Sequence, residues 1–116
     1  MKKKQNYSRE KYQEKMVFDI NTLLRRDFRD PRLSMITVTH VELSPDYSHA
    51  KVFWDTFDVE HRGECKAAIE GIAGKMRTKL AKLLEVRHTP QLHFSYNSQY
   101  EDEQKITNLL NDSDDE

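Results

Sequence analysis

The sequence predicts a two-layer α+β domain with element order α-β-β-α-α-β, and three observations lead there. Tyr12, Met16, Ile20, Leu23 and Leu24 recur at helical spacing and form one apolar stripe. Two β-branched or alternating runs, 35–43 and 48–57, are separated only by Ser44-Pro45-Asp46-Tyr47, which is turn chemistry. Two further helical stripes, broken at Gly71-Ile72-Ala73-Gly74, precede a third alternating run at 91–96. The expected result is a three-stranded sheet with helices on one face.

Each element has its own warrant. The first helix starts at Ser8, a residue type that accepts from the free N–H groups of a helix start, and Glu10 suits the first turn. It stops by Asp30-Pro31, because the residue before proline disfavours helical geometry. In the first strand the apolar parity changes between Val38 and Val41, so either both faces are partly covered or a bulge sits near His40. The second strand places Ala50, Val52 and Trp54 on one face, with Lys51 and Phe53 on the other. Its short link to the first implies an antiparallel hairpin. Residues 60–70 form a helix with Cys65, Ala68 and Ile69 inward, and residues 74–86 form another with Met76, Leu80, Leu83 and Leu84 inward. Tyr100, Ile106, Leu109 and Leu110 fit a short terminal helix. Residues 1–7 read as a flexible basic arm, 8–110 as the domain and 111–116 as a disordered acidic tail.

Composition narrows the function. One cysteine, Cys65, permits neither an internal disulfide nor a cysteine-built metal site. No strictly apolar run exceeds three residues, as in Val52-Phe53-Trp54, which argues against secretion and membrane insertion and for the cytoplasm. The net charge of −1 conceals alternation: residues 1–34 carry a net +5, 35–65 a net −4, 66–98 a net +4 and 99–116 a net −6. Two basic blocks fit either ordinary solvated faces or an oriented surface for a polyanion.

The segment from Gly71 to Lys82 is the most informative for chemistry. Glycines three apart allow a tight turn between helices, and the helix that follows offers free N–H groups to a phosphate. Lys75, Lys79 and Lys82 project opposite the Met76 stripe, with Arg77 at the edge, a pattern suited to a nucleic-acid backbone. The competing reading is that Gly71 caps one helix and the lysines solvate the next. Arg25, Arg26, Arg29 and Arg32 form a second cluster, which suits phosphate recognition or, equally, stabilising the end of the first helix or pairing with Asp27 and Asp30. Among the aromatics, Trp54, Phe94 and Tyr96 read as core, whereas Tyr47 and Phe53 fit core or base stacking. His40, His49, His61, His88 and His93 show no metal-ligand spacing. His61 and Cys65 stand four apart, as a nucleophile pair would, but Cys65 lies on the inner side of its helix. Neither a phosphate-binding P-loop nor a dinucleotide fingerprint occurs, and no cofactor is expected.

Longer stretches carry a resemblance. Asp30-Pro31-Arg32-Leu33, then Thr37-Val38-Thr39-His40-Val41-Glu42-Leu43-Ser44-Pro45-Asp46-Tyr47-Ser48-His49-Ala50-Lys51-Val52, closely resembles the signature stretch of the ribosome-binding factor A family. The segment Met76 to Leu84, Arg87, and Thr89-Pro90-Gln91-Leu92-His93-Phe94 resembles that family's "R…L…R-x-x-P-x-L-x-F" region. The resemblance covers about residues 7–110. It implies a type II KH-like fold and a cytoplasmic, monomeric, non-enzymatic assembly factor. That factor binds the free 30S ribosomal subunit through its 16S rRNA, supports rRNA processing late in maturation, and matters most for growth in the cold. Gly71, Gly74, Lys75, Arg77, Lys79, Lys82 and the four arginines are the expected RNA-binding residues. The family's interrupted helix carries a small residue, any residue, then glycine. Here Ile72-Ala73-Gly74 stands in that place and Gly71 completes a literal G-x-x-G, so a KH-type loop and an interrupted helix are both open.

Overall fold

The computed structural model describes residues 8–97. The expected basic arm, acidic tail and terminal helix lie outside them. Helix α1 spans Arg9–Arg26 and starts as its sequence dictates, with the Ser8 side chain accepting from Lys11 N at 3.3 Å. Strands β1 (Thr37–Leu43) and β2 (His49–Asp55) form the antiparallel hairpin. Helices α2 (Arg62–Gly71) and α3 (Ala73–Leu84) then lead to β3 (Gln91–Tyr96), which pairs parallel to β2. The sheet order is β1-β2-β3.

The bulge falls where the parity change placed it, between Val38 and His40. It keeps Val38, Val41 and Leu43 all buried although their spacing is odd. Across the sheet these meet Trp54, Val52 and Ala50, whose outer neighbours are Tyr96, Phe94 and Leu92. Met16, Ile20, Leu23 and Leu24 of α1, Ile69 of α2, and Met76, Leu80 and Leu84 of α3 close over this face and are buried with it. Trp54 packs edge-on to Tyr96 with centroids 4.9 Å apart. Phe94 and Tyr96 are half-buried at the margin of the core rather than inside it.

Four boundaries differ from expectation. Residues 31–35 form a 3-10 helix, so β1 begins at Thr37 rather than 35. The cause is local: the Asp30 carboxylate accepts from Arg32 N at 3.0 Å, and Pro31 occupies the first helical position, where its missing N–H is harmless. A second 3-10 turn, Val59–His61, precedes α2, and β2 stops at Asp55. Finally, α3 ends at Leu84 because Glu85 turns left-handed (φ 53°).

Two side chains of α1 seal the free edge of β1. The Asn21 amide accepts from Val38 N at 2.8 Å and donates to Val38 O at 2.9 Å. Gln13 accepts from Leu43 N at 3.0 Å. Backbone groups on an edge strand otherwise template further pairing.

Candidate nucleic-acid interface

At the α2–α3 junction the chain forms an interrupted helix, not a KH-type loop. A single residue, Ile72 (φ −101°, ψ 4°), separates the two helices, and Met76 N already donates to Ile72 O at 2.7 Å. Neither Gly71 nor Gly74 has positive φ, so the turn does not require glycine. A Cβ at either would meet nothing within 4 Å, which leaves bare backbone open to an outside molecule. No side chain caps the start of α3, so its first N–H groups have no side-chain acceptor among the described residues and stand at the positive end of the helix dipole.

From this start the exposed Lys75, the half-exposed Lys79 and the exposed Lys82 follow along α3. Lys79 Nζ lies 3.4 Å from Asp27 Oδ2 and 5.9 Å from the Phe28 ring, both just beyond α1. Arg26 Nε donates to Asp27 Oδ1 at 2.7 Å. The Arg26 hydrogen bond, joined by Lys79, holds the Asp27 carboxyl below its ordinary pKa. The two basic blocks, separate in sequence, thus meet across Asp27. Arg29 is exposed and pairs with no described residue, as do Lys75 and Lys82.

Other expected contacts are occupied by the protein itself. Arg25 donates to Leu33 O at 3.1 Å and to Ile36 O, binding the 3-10 segment to α1. Arg32 forms a two-pronged pair with Asp30, the closest contact being 2.6 Å. Arg77 grips Thr89 O through Nε at 3.2 Å and Nη2 at 2.8 Å, steadying the approach to β3. Arg26 with Asp27 and Arg32 with Asp30 thus form the expected carboxylate pairs, while Arg25 and Arg77 fasten backbone carbonyls.

The nucleophile pair does not form. His61 turns to Asp58 at 2.8 Å, and that hydrogen bond raises its pKa. Cys65 is buried with its thiol directed at Arg32 O at 3.6 Å, and burial pushes its pKa up, away from the reactive thiolate. Among the described residues no three His, Cys, Asp or Glu side chains group as metal ligands, and no helix is long and apolar enough to cross a membrane. Tyr47 packs edge-on against Tyr12 at 5.6 Å, which leaves it half-buried.

The sequence put Lys51 and Phe53 on the outer face of the sheet but not the histidines that join them there. His40, Phe53, Lys51, His49 and His93 stand there together, because strand alternation sends them opposite the core. That alternation was the available signal.

Comparison with known proteins agrees with this architecture. The family model described as ribosome-binding factor A matches residues 8–110. A ribosome-binding factor A from Dechloromonas aromatica is 41% identical over 101 residues, covering 87% of this chain and 82% of that one. The crystal structure of ribosome-binding factor A from Thermus thermophilus superposes with a TM-score of 0.70 at 23% identity, covering 78% of this chain and 97% of that chain. A homology model of the Thermus thermophilus factor, fitted into a cryo-EM map of a 30S complex, superposes with a TM-score of 0.57 at 24% identity, covering 72% and 88%. With its type II KH-like α-β-β-α-α-β order and an interrupted helix in place of the KH loop, the chain belongs to the ribosome-binding factor A family.

Proposed function

We propose that this protein binds the free 30S ribosomal subunit through 16S rRNA and assists its late maturation and rRNA processing by adhesion, without catalysis. It acts as a cytoplasmic monomer that docks on immature subunits and leaves finished ones, with the greatest demand in the cold. The observation that carries the reading is the cationic row on α3: Lys75, Lys79 and Lys82 run down from its uncapped start, and Lys79 meets Arg26 across Asp27. The bare backbone at Gly71 and Gly74 lies beside it. Such a strip suits a phosphate backbone, whose contacts are many, cationic and salt-sensitive. The relative's fit into a 30S complex supports the same partner.

Sucrose-gradient sedimentation tests this. The protein should travel with free small subunits and be absent from translating ribosomes. The double variant Lys75→Glu, Lys82→Glu should lose most of that association while keeping the wild-type melting temperature. Wild-type protein that stays at the top of the gradient in low salt, or a double variant that sediments normally, contradicts the proposal.

A further inference from the structure

The layer opposite the helices is uncovered, and its side chains are not those of an inert solvated face. The register places His40 beside Phe53 and Ser95, and Glu42 beside Lys51 and His93. The His40 and Phe53 rings stack, with centroids 5.8 Å apart and planes 25° from parallel. Lys51 Nζ lies 5.2 Å from the Phe53 ring centre, so the cation leans over the aromatic surface rather than toward Glu42. Glu42 is 3.5 Å from His40 Nε2 instead. On the next two strands, His49 Nδ1 and His93 Nε2 share a hydrogen bond of 2.9 Å, with ring centres 5.1 Å apart. That bond engages one nitrogen of each ring. The other nitrogen of each stays available to a ligand. Beside the His49–His93 pair is a hollow of about 480 Å³ lined also by Glu42, Lys51, Ser95 and the apolar Leu43 and Phe94.

We infer that this sheet face is a second RNA-binding surface, which takes a short single-stranded segment by stacking bases on the His40–Phe53 platform while Lys51 and the His49–His93 pair hold its phosphates and base edges. Four rings within one open three-stranded face offer flat π surface, which every base can use without regard to sequence. The polar ring edges and the lysine favour a nucleotide over an apolar protein partner, which would leave those groups unpaired when buried. This inference shares RNA as the partner class with the function proposed above, but it uses none of the same residues. The helical strip faces the other way, so the protein would hold two RNA elements at once, one by phosphate charge and one by stacking.

The test uses the full chain, isotope-labelled, titrated with a mixed-sequence single-stranded RNA octamer away from the ribosome. Amide shifts should appear in β1, β2 and β3 around His40, Lys51, Phe53 and His93. They should persist in the Lys75→Glu, Lys82→Glu variant, so failure of the helical strip and failure of the sheet are read separately. Phe53→Ala with His40→Ala should weaken octamer binding about tenfold, in line with the loss of one stacked base. Lys51→Glu, which leaves the rings in place, should weaken it as well, so the result does not depend on one variant folding. In the Lys75→Glu, Lys82→Glu variant, where the sheet contributes a single lysine, the salt dependence should be shallow, a log–log slope near −0.7 for roughly one phosphate. Shifts confined to α2 and α3, or octamer binding unchanged in the sheet variants, would overturn the inference. So would loss of subunit binding in those variants with no strand shifts in RNA, because that points to a protein occupant.

Discussion

At the residue scale, the arginines show how chemistry visible in sequence is reassigned by geometry. Arg25 and Arg29 look equivalent in the chain, yet Arg25 donates to Leu33 O and Ile36 O while Arg29 stands free among the described residues. Arg25→Ala should therefore destabilise the fold by about 1–2 kcal/mol, since it takes a donor from Ile36 O and leaves Leu33 O only its bond from Ile36 N. Arg29→Ala should leave stability within about 0.5 kcal/mol and act on RNA affinity instead. Urea denaturation paired with subunit sedimentation separates the two, and identical behaviour of the variants would refute the division of roles. The same contrast limits what the sequence discloses. The charge of an arginine is legible, and so is a nearby Asp30 that pairs with Arg32. A carbonyl eight or eleven residues away is not, because only the folded turn brings it within reach. Asn21 is a further case: nothing in its neighbourhood announces that it will satisfy both backbone groups of Val38.

At the element scale, the hairpin turn and the helix break carry predictions. In the turn, Asp46 accepts from Ser44 Oγ at 2.8 Å, Ser48 Oγ at 2.7 Å and Ser48 N at 3.1 Å. Those bonds, the Ser48 hydroxyl first, favour the ionised form and lower its pKa to about 2. A depressed carboxylate pKa stabilises the fold above the unfolded-state value near 3.8, and that contribution disappears as pH falls through about 2. Asp46→Asn should therefore lower the urea midpoint by a constant amount above about pH 4, and the gap from wild type should narrow toward about pH 2. A gap that is flat across that range would show that the carboxylate's charge is not what holds the turn.

The break at Ile72 gives the opposite kind of expectation. Gly74 lies inside α3 with ordinary helical φ and open space above it. Gly74→Ala should stabilise the protein by about 0.5–1 kcal/mol, because alanine loses less chain entropy in a helix. It should simultaneously weaken subunit binding if RNA approaches that backbone closely. Thermal melting and sedimentation of one variant read both effects. The sequence pattern G-x-x-G could not decide between loop and interrupted helix, since it records where a turn is permitted and not which backbone angles are used.

At the scale of the whole molecule, hydrophobic period did most of the specifying. The stripe from Tyr12 to Leu24, the odd spacing of Val38 and Val41, and the Met76–Leu84 stripe each correspond to a buried face. What escaped was the pairing of strands two and three in parallel, because it depends on where the helical crossover lands. Trp54 lies at the centre of the result, 1% exposed and packed on Tyr96. Trp54→Ala should cost about 3–5 kcal/mol, a large share of the roughly 5–15 kcal/mol total of a typical domain. A variant whose chemical-denaturation midpoint is close to wild type would mean the core is organised around some other side chain.

The side chains that close the rim of β1 also have a consequence for how this protein meets others. With Asn21 and Gln13 occupying the Val38 and Leu43 amides, a neighbour's backbone zipping on at that border would have to displace them at both ends of the strand. Through β1, then, encounters are biased toward the chemistry of side-chain tips, which discriminates between visitors in a way a generic backbone ladder does not. Trimming both amides would remove the guard and leave crowded copies free to join edge to edge.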